Sequence, residues 1–253
     1  MEFFKNHFID MNILNHNNLK WKLLEKLYNE NYLYKDNKKP KIPKIIHQIW
    51  LGDKYPEKYH YYTEKLMKIN KGWEYKLWTD ADVDSFKLKN IKLFNNISNL
   101  GAKSDIFRYE ILERIGGVYI DTDFDSVKSF DDLLYLDFFA GTQDKEMIIL
   151  NSIMASIPNH KYISNIVYRL QKNENFNDNI DGVMNNTGPY FINDIFFNII
   201  NENDNVVIFP RKFFFPFPNK YRHVKQDKNY IKFTNSFNNK NTYVVHLWHT
   251  TWQ

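Results

Sequence analysis

The segment Gly116–Asp123, with the sequence GGVYIDTD, combines a turn, a short strand and a carboxylate pair. Residues 118–120 are β-prone and apolar, and two glycines precede them. Asp121 and Asp123 follow directly, so the strand would present both at its carboxyl end, where open α/β sheets bind their ligands. Hard divalent cations prefer oxygen ligands and keep positions open for water and substrate phosphates. The segment therefore predicts a metal site that holds a phosphorylated substrate.

Composition narrows the class of protein. The chain has 253 residues, of which 43% are hydrophobic and 17% aromatic, as is typical of a globular protein. It contains no cysteine, which excludes disulfides, zinc–thiolate sites and thiol nucleophiles. The formal net charge is only +4, and no basic block interrupts the mixture of Lys, Arg, Asp and Glu. Nucleic acid is therefore not an expected partner.

Residues 1–40 are expected to form a helical appendage and residues 41–253 the main domain. Apolar side chains recur at helical spacing over about 18–32, and the polar stretch 35–39 is typical of a linker. The appendage either packs on the flank of the domain or contacts an acceptor or a membrane surface. We expect no signal peptide and no transmembrane segment, because no long apolar run exists. A cytoplasmic or membrane-peripheral location follows as an expectation.

Strand and helix patterns alternate along the chain. Strands are expected at Ile45–Trp50, Glu74–Trp78, Phe138–Ala140, Val206–Phe209 and Tyr243–Trp248. Helices are expected at Tyr59–Ile69, Ala102–Ile115, His160–Gln171 and Phe191–Ile200, with a further short helix capped by Thr79 or Asp80. Asn173–Asn186 is expected to be a surface loop, and Phe213–Pro218 either a packed core segment or a ligand platform. The order predicts an α/β fold with a mostly parallel central sheet flanked by helices.

The helix before the glycines carries charges in unusual places. On a helical wheel Asp105 and Arg108 fall within the apolar arc, whereas Glu110 and Glu113 fall on the polar side. Charged groups directed at a core are costly unless they are paired or serve a site. The two residues are therefore either a simple ion pair within the helix or part of a ligand crevice beside Asp121.

Three chemistries are open to the Asp-x-Asp pair. Asp121, Asp123 and Asp125 imitate the spacing of a calcium loop, but Ser126 stands where that loop needs glycine. The pair also resembles the nucleophile motif of haloacid-dehalogenase-type phosphatases, although Asp125 replaces their usual Thr or Val. Thirdly, the pair can chelate a metal that bridges a nucleotide diphosphate. The charged helix upstream and the tail rich in His and Trp favour this third chemistry.

The tail supplies a candidate third ligand. His246 lies in the apolar stretch Tyr243–Leu247, where a histidine is usually a satisfied core residue. Beside an acidic pair, however, its neutral imidazole is a credible metal ligand. Trp248 and Trp252 are either core residues or residues that close over a base or a sugar.

Three segments together resemble glycosyltransferases of the DXD-motif, family 32 type. That group includes yeast α-1,6-mannosyltransferase-like and bacterial capsular enzymes, with the clostridial glucosylating toxins as distant relatives. The segments are Ile42–Gly52 (IPKIIHQIWLG), Ala102–Asp123 with its AKSDIFRY and GGVYIDTD motifs, and His246–Trp252 (HLWHTTW). Thr251 stands where the group usually has Ser. The resemblance covers about residues 42–253.

The resemblance implies a GT-A, Rossmann-like fold that binds a nucleotide sugar. It implies that Asp121, Asp123 and His246 hold Mn²⁺ or Mg²⁺ on the diphosphate, with Asp123 the more direct ligand. It also implies that Thr251 and Trp252 contact the diphosphate.

The same resemblance assigns residues to the rest of the donor. Asp105 and Arg108 would bind hydroxyls of the donor sugar, and Tyr119 would line the donor pocket. Trp50 would meet the base, and Asn151 would lie near the reacting sugar.

The expected activity is metal-dependent, retaining transfer of a hexose from a UDP-hexose or GDP-mannose to a glycan, lipid-linked or protein acceptor. No carboxylate is assignable as a nucleophile from the sequence, so attack from the same face is expected, with a diphosphate oxygen accepting the acceptor's proton. The alternatives are a non-catalytic nucleotide-sugar or carbohydrate-binding protein on the same fold, and an Asp-x-Asp phosphatase.

Overall fold

The computed structural model describes residues 2–7, 18–34, 39–143, 148–172, 176–227 and 229–249. These residues form eight strands and eleven α-helices. The strands are β1 Ile45–Ile49, β2 Glu74–Trp78, β3 Gly117–Ile120, β4 Phe124–Ser126, β5 Phe138–Thr142, β6 Ile149–Ser156, β7 Val206–Phe209 and β8 Val244–His246. The helices are α1 Glu2–His7, α2 Leu19–Tyr28, α3 Glu57–Ile69, α4 Asp80–Phe86, α5 Ile91–Asn96, α6 Leu100–Arg114, α7 Lys161–Leu170, α8 Ile180–Asn186, α9 Pro189–Ile199, α10 Arg211–Phe214 and α11 Tyr230–Asn235.

Six strands form the central sheet, in the order β2-β1-β3-β6-β5-β7. β1 is parallel to both β2 and β3, and β5 is parallel to β7. β6 runs the other way, because it is antiparallel to β3 and to β5. Helices pack against the sheet, with α2 on β7, α6 on β1, β3 and β6, and α9 on β6. The predicted α/β class with a mostly parallel sheet is therefore confirmed.

Gly116 and Gly117, at the junction of α6 and β3, make a turn that other residues could not form easily. Both have positive φ, +71° at Gly116 and +93° at Gly117. A Cβ atom at Gly117 would lie 2.7 Å from the carbonyl oxygen of Ile45 on the neighbouring strand. Positive φ and this close approach of two backbones both require glycine. The turn thus sets the register of β3 and the position of the aspartates that follow it.

Two acidic residues of α6 lie in surroundings that the helical wheel did not predict. Glu110 and Glu113 are buried, not solvent-facing. Glu110 accepts hydrogen bonds from the backbone N–H groups of Lys89 and Asn90 at 2.6 and 2.8 Å, at the start of α5. Glu113 pairs with the Lys89 ammonium at 2.6 Å. The polar side of the wheel is therefore buried, and Glu110 binds backbone N–H groups at the start of α5.

The prediction of a surface loop over residues 173–186 is wrong for the second half of that segment. Residues 180–186 form α8, and the Asn179 side chain accepts a hydrogen bond from the Gly182 N–H at 2.7 Å. Asparagine is a good helix cap as well as a loop residue, so the Asn-rich composition was ambiguous. Val183 supplies the buried contact that holds the helix on the domain. Residues 173–175 lie outside the described residues.

A small second sheet joins the tail to the Asp-x-Asp segment. β4 and β8 are antiparallel, with Phe124 opposite His246. The strand expected at 243–248 is shorter than predicted and ends at His246. Trp248 has a φ of +59°, which is incompatible with a continuing strand. The pairing is what brings the end of the chain to the metal-ligand candidates.

The amino-terminal helices share the main hydrophobic core. Trp21, Leu24 and Tyr28 of α2 are buried with Phe3 of α1 and with side chains of the sheet. The helix expected over about 18–32 is observed, and a π-helical turn at Asn29–Leu33 extends it. Residues 35–38 of the expected linker lie outside the described residues. The division of the chain at residue 40 stays a prediction.

Two further expectations can be compared with the structure. The phenylalanines of residues 213–217 are buried, as a packed core segment requires. Among the described residues, no helix combines the length and the apolar character needed to cross a membrane.

Candidate active site

A cavity of about 420 Å³ opens beside the carboxyl ends of β1 and β3. Eight of the ten site residues proposed from the sequence line it: Trp50, Asp105, Arg108, Tyr119, Asp121, Asp123, Asn151 and His246. They come from β3, β6, β8, α6 and the loops that follow β1 and β3. Thr251 and Trp252 lie outside the described residues. The sheet edge therefore collects the candidates where open α/β folds bind their ligands.

Asp121, Asp123 and His246 form a possible metal centre. One ligand atom from each lies within 4.8 Å of the others. The His246 ring stacks on Phe124 at 4.4 Å, and its Nε2 lies 3.2 Å from an oxygen of Asp123. Its Nδ1 is buried and has no hydrogen-bond partner in the described part of the chain. Two carboxylates and an imidazole are a donor set that suits Mn²⁺, so these residues fit the metal expected from the sequence.

The two aspartates differ in their electrostatic surroundings. Asp121 Oδ1 accepts a hydrogen bond from the Tyr119 hydroxyl at 2.6 Å, and burial raises the pKa of Asp121. Burial by itself would also raise the pKa of Asp123. However, His246 and the backbone N–H of His249 hold that pKa below its usual value, and the His249 N–H donates to Asp123 Oδ2 at 2.7 Å. Asp123 is therefore the more firmly ionised of the two.

Arg108 connects α6 to the metal-ligand candidates. Its guanidinium lies 3.1 Å from Asp105 and 3.3 Å from Asp121, and donates to the Asn151 carbonyl at 2.8 Å. It also lies 4.3 Å from the centre of the Tyr119 ring. Burial by itself would lower the pKa of Arg108, but Tyr119, Asp121 and Asp105 together raise it. The sequence left open whether Asp105 and Arg108 form an ion pair or line a ligand crevice beside Asp121. The structure shows that they do both.

Asp105 is held entirely by neighbouring side chains. Its Oδ1 accepts from the Asn151 amide at 2.8 Å, and its Oδ2 accepts from the Thr187 hydroxyl at 2.9 Å. Burial raises the pKa of Asp105 to about 6, and Arg108 opposes that shift. Thr187 was not singled out from the sequence, because its partner on α6 is distant in the chain.

Aromatic residues form the wall where the cavity passes Trp50. The Trp50 indole packs against Tyr55 and Tyr59, with ring centres 5.5 and 5.4 Å away. The Tyr59 hydroxyl and both ring nitrogens of His249 are buried without hydrogen-bond partners among the described residues. Sequence reasoning missed Tyr59 and His249. His249 lies within the HLWHTTW segment, whereas nothing around Tyr59 marks it.

Comparison with known families identifies the central part of the chain. Residues 56–140 match the family model described as "Glycosyltransferase sugar-binding region containing DXD motif". The match includes Asp105, Arg108, β3 and the Asp121–Asp123 motif.

Characterised and uncharacterised relatives agree with this match. Inositol phosphoceramide mannosyltransferase 2 of Schizosaccharomyces pombe is 33% identical over 138 residues, which are 53% of this chain and 40% of that protein. Uncharacterized glycosyltransferase L373 of Acanthamoeba polyphaga mimivirus is 31% identical over 163 residues, covering 60% of this chain and 64% of that protein. The chain thus matches well under half the length of the first relative.

Two solved structures share the fold. The PaToxG glycosyltransferase has a TM-score of 0.51 and 17% identity, and covers 72% of this chain and 76% of its own. The ligand-free glycosyltransferase domain of the YGT toxin has a TM-score of 0.50 and 10% identity, covering 63% and 78%. The predicted GT-A fold and the predicted resemblance are confirmed: residues 56–140 match the DXD-motif sugar-binding region of glycosyltransferases, and two solved glycosyltransferases share the fold.

Proposed function

We propose that the chain is a metal-dependent, retaining glycosyltransferase that moves a hexose from a nucleotide diphosphate sugar to an acceptor hydroxyl. The observation that carries the proposal is the convergence of Asp121, Asp123 and His246 with the Asp105–Arg108 pair in one cavity. The first three can hold a metal ion, and the last two lie where a donor sugar would extend from it.

The metal-ligand candidates would hold Mn²⁺ or Mg²⁺. A divalent cation bound there would neutralise the charge that develops on the leaving nucleoside diphosphate. Asp123 is proposed as the more direct ligand, since its pKa is held low. Thr251 and Trp252 stay proposed as contacts to the diphosphate.

The remaining residues would orient the donor. Arg108 stays charged and is fixed by three partners, so it presents a preorganised donor group to sugar hydroxyls. Asp105 would act with it, and Tyr119 would form the wall beneath them. Trp50 would stack on the base, because it lines the cavity and is supported by Tyr59.

The carboxylates of the cavity support attack from the same face as the leaving group. Among the described residues that line the cavity, the acids are Asp105, Asp121 and Asp123. Asp105 is held by neighbouring side chains, and the other two are the proposed metal ligands. None of the three is free to act as a nucleophile, so a diphosphate oxygen is the proposed acceptor for the proton of the incoming hydroxyl.

The names of the relatives guide the choice of donor and acceptor. Several are mannosyltransferases that act on inositol phosphoceramide. We therefore place GDP-mannose first among the donors, followed by UDP-glucose, UDP-galactose and UDP-N-acetylglucosamine. A lipid-linked acceptor is tested first, and glycans and proteins follow.

The test is a panel of these four nucleotide sugars with and without Mn²⁺. Release of nucleoside diphosphate and thermal shift are measured in parallel. We expect one donor to be hydrolysed only when Mn²⁺ is present and to raise the melting temperature. A thermal shift without turnover would support the non-catalytic binding protein. Phosphate release from simple phosphoesters would support the phosphatase instead.

A further inference from the structure

Thr187 is bonded to α6 through both its side chain and its main chain. Its hydroxyl donates to Asp105 Oδ2 at 2.9 Å, and its carbonyl accepts from the Tyr109 hydroxyl at 2.6 Å. Asp105 and Tyr109 are one helical turn apart, so they present their polar groups on the same face of α6. All three residues are buried. Thr187 therefore fixes the junction of α8 and α9 against the helix that carries the Asp105–Arg108 pair.

The same two α6 side chains also bind Asn151 of β6. The Asn151 Nδ2 donates to Asp105 Oδ1 and to the Tyr109 hydroxyl, at 2.8 Å in each case. Both amide hydrogens are thereby used. If the amide were turned over, its oxygen would face the Asp105 carboxylate, and two acceptors would be buried against each other. That arrangement is costly, so the network allows one orientation of the amide.

This orientation leaves one atom of Asn151 for a ligand. Oδ1 accepts no hydrogen bond from the described residues, and it is not among the buried polar atoms that lack a partner. It is therefore accessible, and the cavity is the space that Asn151 lines. An oxygen in this position can only accept hydrogen bonds, and sugar hydroxyls are the donors that a nucleotide sugar offers.

We propose that Thr187 is a positioning residue, whose hydroxyl and carbonyl hold Asp105 and Tyr109 so that Asn151 turns its Oδ1 toward a hydroxyl of the transferred sugar. The inference rests on the proposed glycosyltransferase function and adds a specificity element to it. Thr187 itself does not touch the sugar. It acts through the closed ring of hydrogen bonds that links Thr187, Asp105, Asn151 and Tyr109.

The local sequence explains how Thr187 reaches this place. Thr187 ends α8, and Pro189 occupies the first turn of α9, where its missing N–H costs nothing. A Cβ atom on Gly188 would lie 3.0 Å from the Val183 carbonyl oxygen, so the chain passes close to α8 there. Gly188 and Pro189 also line the cavity. The Thr-Gly-Pro segment is thus one wall of the site and the anchor of that wall.

The test compares Thr187→Val, which keeps the shape and removes the hydroxyl, with Thr187→Ser, which keeps the hydroxyl. Affinity in the presence of Mn²⁺ is measured by calorimetry for GDP-mannose and GDP, or for the donor that the panel selects and its nucleoside diphosphate. We expect Thr187→Val to lower the affinity for the nucleotide sugar about tenfold. Its affinity for the nucleoside diphosphate should stay within about twofold of the wild-type value. Thr187→Ser should bind the nucleotide sugar with nearly the wild-type affinity.

Thr234→Val is the matched control. Thr234 is also buried, and its hydroxyl bonds the carbonyl of Ile231 within α11, away from the cavity lining. It should bind both ligands like the wild type. The proposal would be overturned if Thr187→Val lost affinity for the nucleotide sugar and for the nucleoside diphosphate equally. It would also be overturned if Thr187→Ser bound the nucleotide sugar as weakly as Thr187→Val.

A second measurement does not depend on ligand binding. Hydrogen exchange of the Asn151 side-chain amide, followed by NMR and assigned by its loss in Asn151→Asp, should be slow in the wild type and faster in Thr187→Val. If no nucleotide sugar binds the wild type, the proposed function fails while this signal still decides the network. Unchanged exchange in Thr187→Val would refute the positioning role.

Discussion

Each charged side chain at the bottom of the cavity is placed beside a group that compensates it. Arg108 lies between two carboxylates, and Asp123 lies between an imidazole and a backbone N–H. Asp125, two residues further on, is fully buried and is paired at 2.5 Å with Lys65. Removing one partner of such a set leaves a buried charge without compensation, which costs more than the pair contributes. Single substitutions here should therefore have large effects.

Asp123→Asn removes a charge from the proposed metal site while it keeps the size of the side chain. We expect Mn²⁺-dependent donor turnover to fall at least about 100-fold, because the site loses a carboxylate ligand. His246→Ala should weaken turnover and Mn²⁺ affinity less severely. Asp84→Asn, at an exposed position of α4, is the control and should behave like the wild type. Full activity in Asp123→Asn would show that the site is assigned wrongly.

His47 gives a prediction about pH. It is buried beneath the glycine turn, donates from Nε2 to the Gly116 carbonyl and accepts at Nδ1 from the Trp78 indole. Burial lowers its pKa from 6.5 to about 4. Between these values the unfolded chain binds a proton that the folded protein does not, so stability should fall as the pH falls. The loss between pH 7 and pH 5 should be about 2 kcal/mol.

The measurement is urea unfolding of wild type and His47→Gln across this range. Glutamine can keep a hydrogen bond to Gly116 but does not titrate. The variant should be less stable at pH 7 and should show a flatter dependence on pH. Comparing the two proteins removes the opposite contribution of Asp105, whose raised pKa favours the folded state as the pH falls. Parallel pH profiles would contradict the assignment.

At the scale of elements, β3 depends on the turn that precedes it. Gly116 and Gly117 let α6 end and β3 begin within two residues, next to β1 and β6. The strand then carries Tyr119 toward Arg108 and delivers Asp121 at its end. A shift of this strand would move Asp121 and Asp123 together.

Gly117→Ala should destabilise the protein by at least about 2 kcal/mol, because it combines strained φ with overlap of the new methyl group and Ile45. Gly72→Ala is the matched control: its φ is +85°, but nothing lies within 4 Å of the added atom. It should cost only the backbone strain, about 1 kcal/mol. Free energies of unfolding from urea titrations would separate the two. Equal costs would mean that close packing at the turn does not matter.

At the scale of the whole molecule, the first helices are part of the packing of the sheet. Asn31 donates to the carbonyls of Asp204 and Val206, and Tyr135 donates to the Asn31 carbonyl. These bonds join the start of the chain to the far edge of the sheet at β7. We therefore expect residues 19–33 to unfold together with the domain.

Leu24→Ala tests this expectation. Leu24 is completely buried, so its truncation should cost about 2–5 kcal/mol and shift a single unfolding transition. Leu19 on the same helix is 79% exposed, and Leu19→Ala should change stability by less than about 0.5 kcal/mol. Calorimetry of both variants is the measurement. A separate low-temperature transition in Leu24→Ala would instead support an independent appendage.

The sequence by itself determined the elements whose signals are local. β2 and β7 have the predicted bounds, and Thr79 caps α4 as expected, with Asp82 completing the capping box. Alternating apolar patterns and caps depend on neighbours a few residues away, which the sequence displays directly. The sequence also predicted that Asp121 and Asp123 lie close together, because both follow the end of the same strand. The proposal that His246 joins them came from the chemistry of an imidazole beside an acidic pair and from the resemblance of the tail, and not from periodicity.

Only the tertiary structure decided which distant groups meet. Glu110 is on the polar side of its helix, yet it is buried and accepts hydrogen bonds from the backbone N–H groups of Lys89 and Asn90 at the start of α5. Thr187 reaches Asp105 across 82 residues, and no local pattern marks either as the partner of the other. Hydrogen bonds in a buried site depend on how helices and strands pack, and packing is a property of the whole chain. The metal-ligand candidates were therefore visible in the sequence, whereas the network that orients Asn151 beside them emerged only when the chain was folded.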